Sequence, residues 1–189
     1  MTSHTEVSPV TFLGDDLTGR EIINKTTTIG DLKDVFAEEK ARSDMQQGGV
    51  VYEVQAYLPV KEATLGGLYF GITKINPGKV GDEYFMTRGH FHELSDRAEY
   101  YWGIKGEGYL ILMDRNRKTR IEKMEAGSLH YIPAHTAHRV ANVGATVLSF
   151  GACWPSDAGH DYKEIADNGF SARLLDSDGN PTLSVTRHA

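Results

Sequence analysis

Two histidines, His90 and His92, stand two residues apart in TRGHFHELSDRAEYYWGIKGEG, and Glu99 follows seven residues after the second. A third histidine, His138, lies downstream in EAGSLHYIPAHTAHRVANVG. Imidazole and carboxylate ligands with no thiolate suit a divalent transition metal such as Fe, Mn, Ni or Zn. Four protein ligands leave two positions on an octahedral ion, which is what chelation of a substrate through two oxygens needs. The competing reading is ordinary histidines, satisfied by hydrogen bonds or water.

Those residues need extended chain to hold them. Side chains alternate faces along a strand, so His90 and His92 point the same way. Glu99 has an odd offset from His92 and cannot share that face on one unbroken strand. The polar ELSDRA between them reads as a bend, which delivers Glu99 from the next strand; Tyr101, two residues on, shares its face. From Val50 onward, VVYEVQAYLPV, LYFGITKI, AEYYWGIKGEGYLILM, SLHYIPAH and ATVLSFGACW are short β-branched and aromatic runs separated by turn signals, the pattern of a β-sandwich or barrel. Before them, TTTIGDLKDVFAEEKARSDM places Ile29, Leu32 and Phe36 at helical spacing behind a Thr28/Asp31 cap, which predicts one helix. A short helical turn stopping at Gly169 and a hairpin around Asp178–Gly179–Asn180 are expected at the end. No repeat or linker divides the chain, so residues 1–189 read as a single domain. Its core barrel spans about 50–155, with strands and a helix before it (1–49) and an extension after it (156–189).

Composition narrows the function classes. The net charge is −6 and no wide basic face is present, so no nucleic-acid partner is expected. The densest basic cluster, Arg115, Arg117, Lys118 and Arg120, reads as a solvated turn. The single cysteine, Cys153, excludes an internal disulfide and reads as a buried structural thiol. The N-terminal MTSHTEVSPV lacks the basic and apolar regions of a secretory signal, and no run is long and apolar enough to span a membrane. A cytoplasmic protein is expected.

The two histidine segments resemble the two motifs of the cupin superfamily, which implies an all-β fold with minor helix, the double-stranded β-helix or jelly-roll barrel. His90, His92, Glu99 and Gly106 match the first motif; Gly127, Pro133, His138 and Asn142 match the second. The gap from His92 to Glu99 exceeds the usual cupin spacing, and His135 stands where a glycine is common, on the rim rather than among the ligands. The longer gap is similar to the cupin-type glucose-6-phosphate isomerases of archaea and some bacteria. VVYEV, PGKVGDEYFMTRGHFH, YIPAHTAHRVANVG and DAGHDY agree in the same order.

That resemblance implies metal-dependent, reversible isomerisation of glucose 6-phosphate and fructose 6-phosphate, in glycolysis or gluconeogenesis. It implies His90, His92, Glu99 and His138 as ligands of one divalent metal per subunit, Fe(II) foremost, with Mn, Ni or Zn as alternatives. Glu99, Tyr101 and His160 are the expected catalytic residues, and Tyr52, Thr73, Thr87, Gly89 and Tyr162 the expected sugar-phosphate contacts. Arg88 and Lys79 are further cations for the phosphate. Trp154 replaces an expected aromatic that is often tyrosine, and Asp157 and Asp161 are expected to brace their loop. The only expected partners are the sugar phosphate and a second copy in a homodimer. Two other classes stay open: a cupin dioxygenase with the same ligands, and a non-enzymatic sugar-binding cupin.

Overall fold

The computed structural model describes residues 7–185. Residues 1–6, the start of the stretch read for a signal, and the last four residues lie outside the described part. Fifteen strands carry the fold among the described residues. An N-terminal group comprises β1 (Val10–Leu13), β2 (Asp16–Gly19), β3 (Ile22–Thr28), β4 (Val50–Tyr57) and β5 (Leu68–Ile75). Then come β6 (Lys79–Val80), β7 (Glu83–Tyr84), β8 (Glu99–Lys105), β9 (Glu107–Met113), β10 (Thr119–Glu125), β11 (Leu129–Ile132), β12 (Ala137–Asn142) and β13 (Leu148–Pro155). The chain ends in the hairpin β14 (Ala172–Ser177) and β15 (Asn180–Val185), formed at the expected turn. The fold is all-β with minor helix, as expected.

A six-stranded sheet, β11-β8-β13-β5-β4-β3, and a three-stranded sheet, β10-β9-β12, enclose the core. Ile75, Leu148, Phe150 and Ile132 of the first meet Leu110, Leu112, Val140 and Met124 of the second in one buried cluster. Asn142 crosses between the sheets. Its buried amide donates to the carbonyls of Ile75 and Thr146, both at 2.9 Å, and its oxygen accepts the Gly144 N–H at 2.9 Å, so no polar atom of it is wasted in the core. Gly106 makes the tight β8–β9 turn at φ 78, where a Cβ would sit 2.5 Å from the Val147 carbonyl oxygen.

Two expectations are corrected. The single helix is broken into a 3-10 turn at Gly30–Leu32 and the short α1 at Glu39–Asp44. The Thr28/Asp31 cap forms, with Thr28 N–H donating to the Asp31 carboxylate at 2.8 Å, and Ile29, Leu32 and Phe36 are buried. But Asp34 turns left-handed at φ 63, and the Ala37 N–H donates to the Glu83 side chain at 2.9 Å instead of to a helical carbonyl. The apolar spacing was real and the regular backbone was not. The basic cluster is an exposed turn, as expected, and is also put to use: Arg115 pairs with Glu164 and lies 3.8 Å over the Phe91 ring, and Arg117 donates to the Asn168 carbonyl at 2.9 Å. Both fasten α2 (Lys163–Asn168), the expected helical turn before Gly169. Cys153 is half-buried rather than fully enclosed, and burial holds its thiol above the usual value.

Candidate metal centre and its cavity

The segment carrying His90 and His92 is extended but only singly bridged on each side. His90 exchanges backbone hydrogen bonds with His138 of β12 at 3.3 and 3.1 Å, which sets the two imidazoles side by side. Phe91 does the same with Asp161, at 3.2 and 2.8 Å, and so brings DAGHDY against the first motif. Gly89, at φ 80, permits the approach; a Cβ there would lie 2.7 Å from the Phe170 ring. Glu99 opens β8, after the bend, as expected. Arg97 locks that bend by a two-pronged bond to Asp157, at 2.9 and 2.8 Å. Asp161 caps α2 through the Lys163 N–H at 3.1 Å. Both aspartates therefore brace the loop.

One ligand atom each from His90, His92, Glu99 and His138 falls within 4.8 Å of all the others. His92 Nδ1 lies 3.0 Å from the Arg97 carbonyl and His138 Nδ1 lies 3.2 Å from the Thr136 carbonyl. Each Nδ1–H can donate there, which leaves the Nε2 lone pair turned inward, the second-shell arrangement of a metal-ligating histidine. His92 Nε2 is 3.2 Å and His138 Nε2 is 2.5 Å from the same Glu99 oxygen. Yet His138 Nε2, fully buried, has no partner with hydrogen-bond alignment. A buried imidazole nitrogen and a carboxylate oxygen that converge without an aligned hydrogen bond make a place for a cation. These residues fit a divalent metal. Electrostatics agree. Burial, with the neighbouring imidazoles, drives His90 well below its usual value, so it stays neutral and able to ligate. Burial works against ionisation of Glu99, but the facing His138 and His92 hold its carboxyl below the ordinary range.

The cluster floors a cavity of about 450 Å³. Tyr52, Thr73, Thr87, Gly89, Tyr101, His160 and Tyr162 all line it, together with His90, Glu99 and His138. His92 is behind that lining. Burial first, and then the Glu99 charge, push the Tyr101 hydroxyl well up, so it is a donor and not a base at neutral pH. The His160 ring lies 4.4 Å from His90 and stacks on Tyr162 at 5.6 Å, at the mouth.

A family model described as glucose-6-phosphate isomerase (GPI) matches residues 26–186. It is an enzyme of the glucose-6-phosphate isomerase family. The glucose-6-phosphate isomerase of Thermococcus litoralis is 42% identical over 153 residues, covering 80% of each chain. That of Pyrococcus furiosus is 40% identical over 153 residues, again covering 80% of each. Among solved structures, Bacillus subtilis oxalate decarboxylase aligns with 58% of this chain and 26% of its own, at TM-score 0.45 and 19% identity, a likeness too remote to argue from.

Within this glucose-6-phosphate isomerase family chain, His135 stays out of the ligand set: it is exposed and bonds Ser95 at 3.0 Å. Lys79 is drawn away to Asp176, whereas Arg88 lines the cavity and donates to the Asp31 carbonyl. Trp154 contributes an indole wall. The sequence reading missed Lys25 and the apolar wall of Val54, Ala56, Leu58 and Ala152. Alternation from Tyr52 points to 54, 56 and 58; nothing local points to Lys25, whose place depends on sheet register.

Proposed function

We propose that this enzyme interconverts glucose 6-phosphate and fructose 6-phosphate in a metal-dependent reaction of glycolysis or gluconeogenesis. The observation that carries the reading is one cavity in which the histidine–glutamate cluster and hydroxyl donors face each other. His90, His92, Glu99 and His138 would hold one divalent ion, Fe(II) foremost. When bound, such an ion supplies positive charge for the oxygens that exchange carbonyl character. The open-chain sugar must lose hydrogen from C2 and gain it at C1, while O2 loses and O1 gains a proton. Glu99 reaches the cavity and is the carboxylate placed to carry the hydrogen as a proton in a cis-enediol route. Tyr101, kept protonated, donates to a sugar oxygen, and His160 at the mouth serves proton exchange on the sugar hydroxyls. Tyr52, Thr73, Thr87, Gly89 and Tyr162 receive the rest of the substrate.

The depressed Glu99 carboxyl is a weak base, which favours a second route: a hydride shift between C2 and C1 with Glu99 as ligand only. Turnover in D₂O separates them, because an enediol takes up deuterium at carbon and a hydride shift does not. The parent test is fructose 6-phosphate turnover by metal-stripped protein with Fe(II), Mn(II), Ni(II) or Zn(II) added back. Activity that returns with metal supports the reading. No activity with any ion, accompanied by oxygen uptake on another substrate, would replace it with a dioxygenase.

The same reading places the enzyme in the cytoplasm, where charged sugar phosphates are retained; no helix among the described residues is long and apolar enough to cross a membrane. A homodimer is proposed through the outer face of the six-stranded sheet, where Tyr100 (49%), Tyr131 (52%) and Leu129 (69%) stay exposed side by side. Light scattering of Tyr100→Lys against wild type tests it; an unchanged mass rejects that face.

A further inference from the structure

We propose that Arg139 is a positioning residue of the metal centre: with Phe170 it holds a one-residue β-bulge that turns His90 towards His138. The proposal rests on the metal-centre reading and names what aims the first ligand. The segment from Phe85 to His90 runs antiparallel to β12, but not in one register. Met86 bridges Ala141 and His90 bridges His138, so residues 87, 88 and 89 face only 139 and 140. Continued in the register of Met86, the pairing would set Gly89 across from His138 and turn His90 to the opposite face. The bulge is therefore what delivers this imidazole, a use that bulges have beside active sites.

The extra residue is held from both chains. The Val140 N–H donates to the Thr87 side-chain oxygen at 3.1 Å, so the broken ladder leaves it satisfied. Gly89 takes the left-handed backbone at φ 80, and a Cβ there would lie 3.0 Å from Arg139 Cβ and 2.7 Å from the Phe170 ring. Arg139 alternates to the face of β12 away from His138, so it acts through the backbone and not as a ligand. Its guanidinium lies 4.3 Å over the Phe170 ring and donates to the Ala172 carbonyl at 3.3 Å, which ties the C-terminal extension to β12 behind the bulge. Its ion pairing is thin. Arg139 is 3% exposed, its Nε has no partner among the described residues, and it stands 3.8 Å from the Glu83 carboxylate. Glu83 is engaged elsewhere, with Arg173 at 2.9 Å and the Ala37 N–H at 2.9 Å. A buried cation paired so weakly adds little to folding. What it adds is shape: a flat group over a ring, the two closing together on Gly89.

A role in folding alone is the alternative, since Arg139, Glu83 and Arg173 join β12, β7 and β14 whatever the ligands do. The test uses the full chain as wild type, Arg139→Met, Phe170→Leu and Arg173→Met. Co(II) affinity by competition with a chelator is measured on each, with the visible absorption of bound Co(II), which reports ligand geometry. Urea midpoints of the metal-free proteins report folding. Arg139→Met and Phe170→Leu are expected to weaken Co(II) about 10- to 100-fold, the scale for losing an orienting contact, and to alter the spectrum. Arg173→Met takes two bonds from Glu83 but leaves the bulge backed. It is expected to lower the midpoint and to keep the wild-type Co(II) affinity and spectrum. Should Arg139→Met not fold, Phe170→Leu carries the same expectation. Wild-type affinity and spectrum in both, or affinity losses that follow the midpoints through all the variants, overturn the positioning role. A wild type that binds no Co(II) overturns it together with the metal centre. A wild type whose Co(II) binding depends on Arg139 and Phe170, but which does not turn over fructose 6-phosphate, keeps the role and rejects the isomerase reading alone.

Discussion

Two histidine–carboxylate clusters grow from the same strand pair and end in opposite chemistry. On β11, His130 pairs with Tyr101 of β8, and two residues on, Ile132 pairs with Glu99. His130 is buried like His92 and His138 of the metal centre. Its Nδ1 lies 2.8 Å from Glu122 and its Nε2 lies 2.9 Å from Ser128 Oγ, so both nitrogens are satisfied by the protein itself. The order serine, histidine, carboxylate resembles a nucleophile relay. But Ser128 is tied into the β10–β11 turn, its oxygen accepting the Glu125 N–H at 3.0 Å and lying 2.8 Å from the Glu125 carbonyl, so it is held as a structural residue. At the metal centre, backbone carbonyls take the Nδ1 side of His92 and His138, and Nε2 of His138 is left facing a carboxylate without an aligned hydrogen bond. Both clusters set a buried imidazole against a carboxylate, although Glu122 is more open to water than Glu99. What differs is whether the polar atoms satisfy one another or converge on a point that only an added cation can fill.

The sharpest way to break this contrast is to remove one histidine from each cluster. His138→Ala should lose bound metal and lower turnover by about 10²–10³-fold or more, the scale for removing an electrostatic stabiliser. His130→Ala should do the reverse. It takes one partner each from the Glu122 carboxylate and Ser128 and costs about 1–3 kcal/mol of stability, with metal content intact by elemental analysis. Metal loss in His130→Ala, at unchanged stability, would erase the distinction.

A smaller effect probes how the ligands are aimed. His92 is oriented by the carbonyl of Arg97, and Arg97 is held by Asp157. Arg97→Ala should loosen the bend and weaken metal binding about 10- to 100-fold, as loss of an orienting contact does. Competition with a chelator reads this directly. Unchanged affinity would mean that the Phe91–Asp161 bridge alone positions the motif.

How far the sequence reached follows the same division. Alternation put His90, His92 and Arg88 on one face, and the polar bend put Glu99 on the next strand. The strands rich in β-branched and aromatic residues were legible because one face of each is buried. The strand Thr119–Glu125 was passed over because its residues are almost all polar. The helix failed at Asp34, where one left-handed residue and a side-chain acceptor on distant Glu83 overrode the spacing. Lys25 was out of reach because its place depends on its partner across the sheet, and pairing between β3 and β4 is not written in either strand alone. His130 was read only as part of a strand; its identity as a satisfied histidine rests on Glu122, from the strand that was missed.

The finest test of the comparison is acid titration of the metal-stripped protein. The folded His90 ring titrates well below 6.5, chiefly because it is buried. Above that pH it is neutral in both folded and unfolded chains and contributes no pH dependence. Below it, the unfolded chain binds a proton that the folded ring refuses, so stability falls as pH drops, by at most one proton's worth of slope. His90→Gln removes that term. Urea midpoints of wild type and His90→Gln, both metal-free, should therefore run in parallel above pH 6.5. They should diverge on acidification towards about pH 5, with wild type losing more. Saturating Zn(II) should deepen the wild-type loss, because protons must then displace an ion that stabilises only the folded chain. Parallel curves over the whole range would mean that the His90 ring is open to water in the metal-free protein, and that the ligand pocket closes only when the ion arrives.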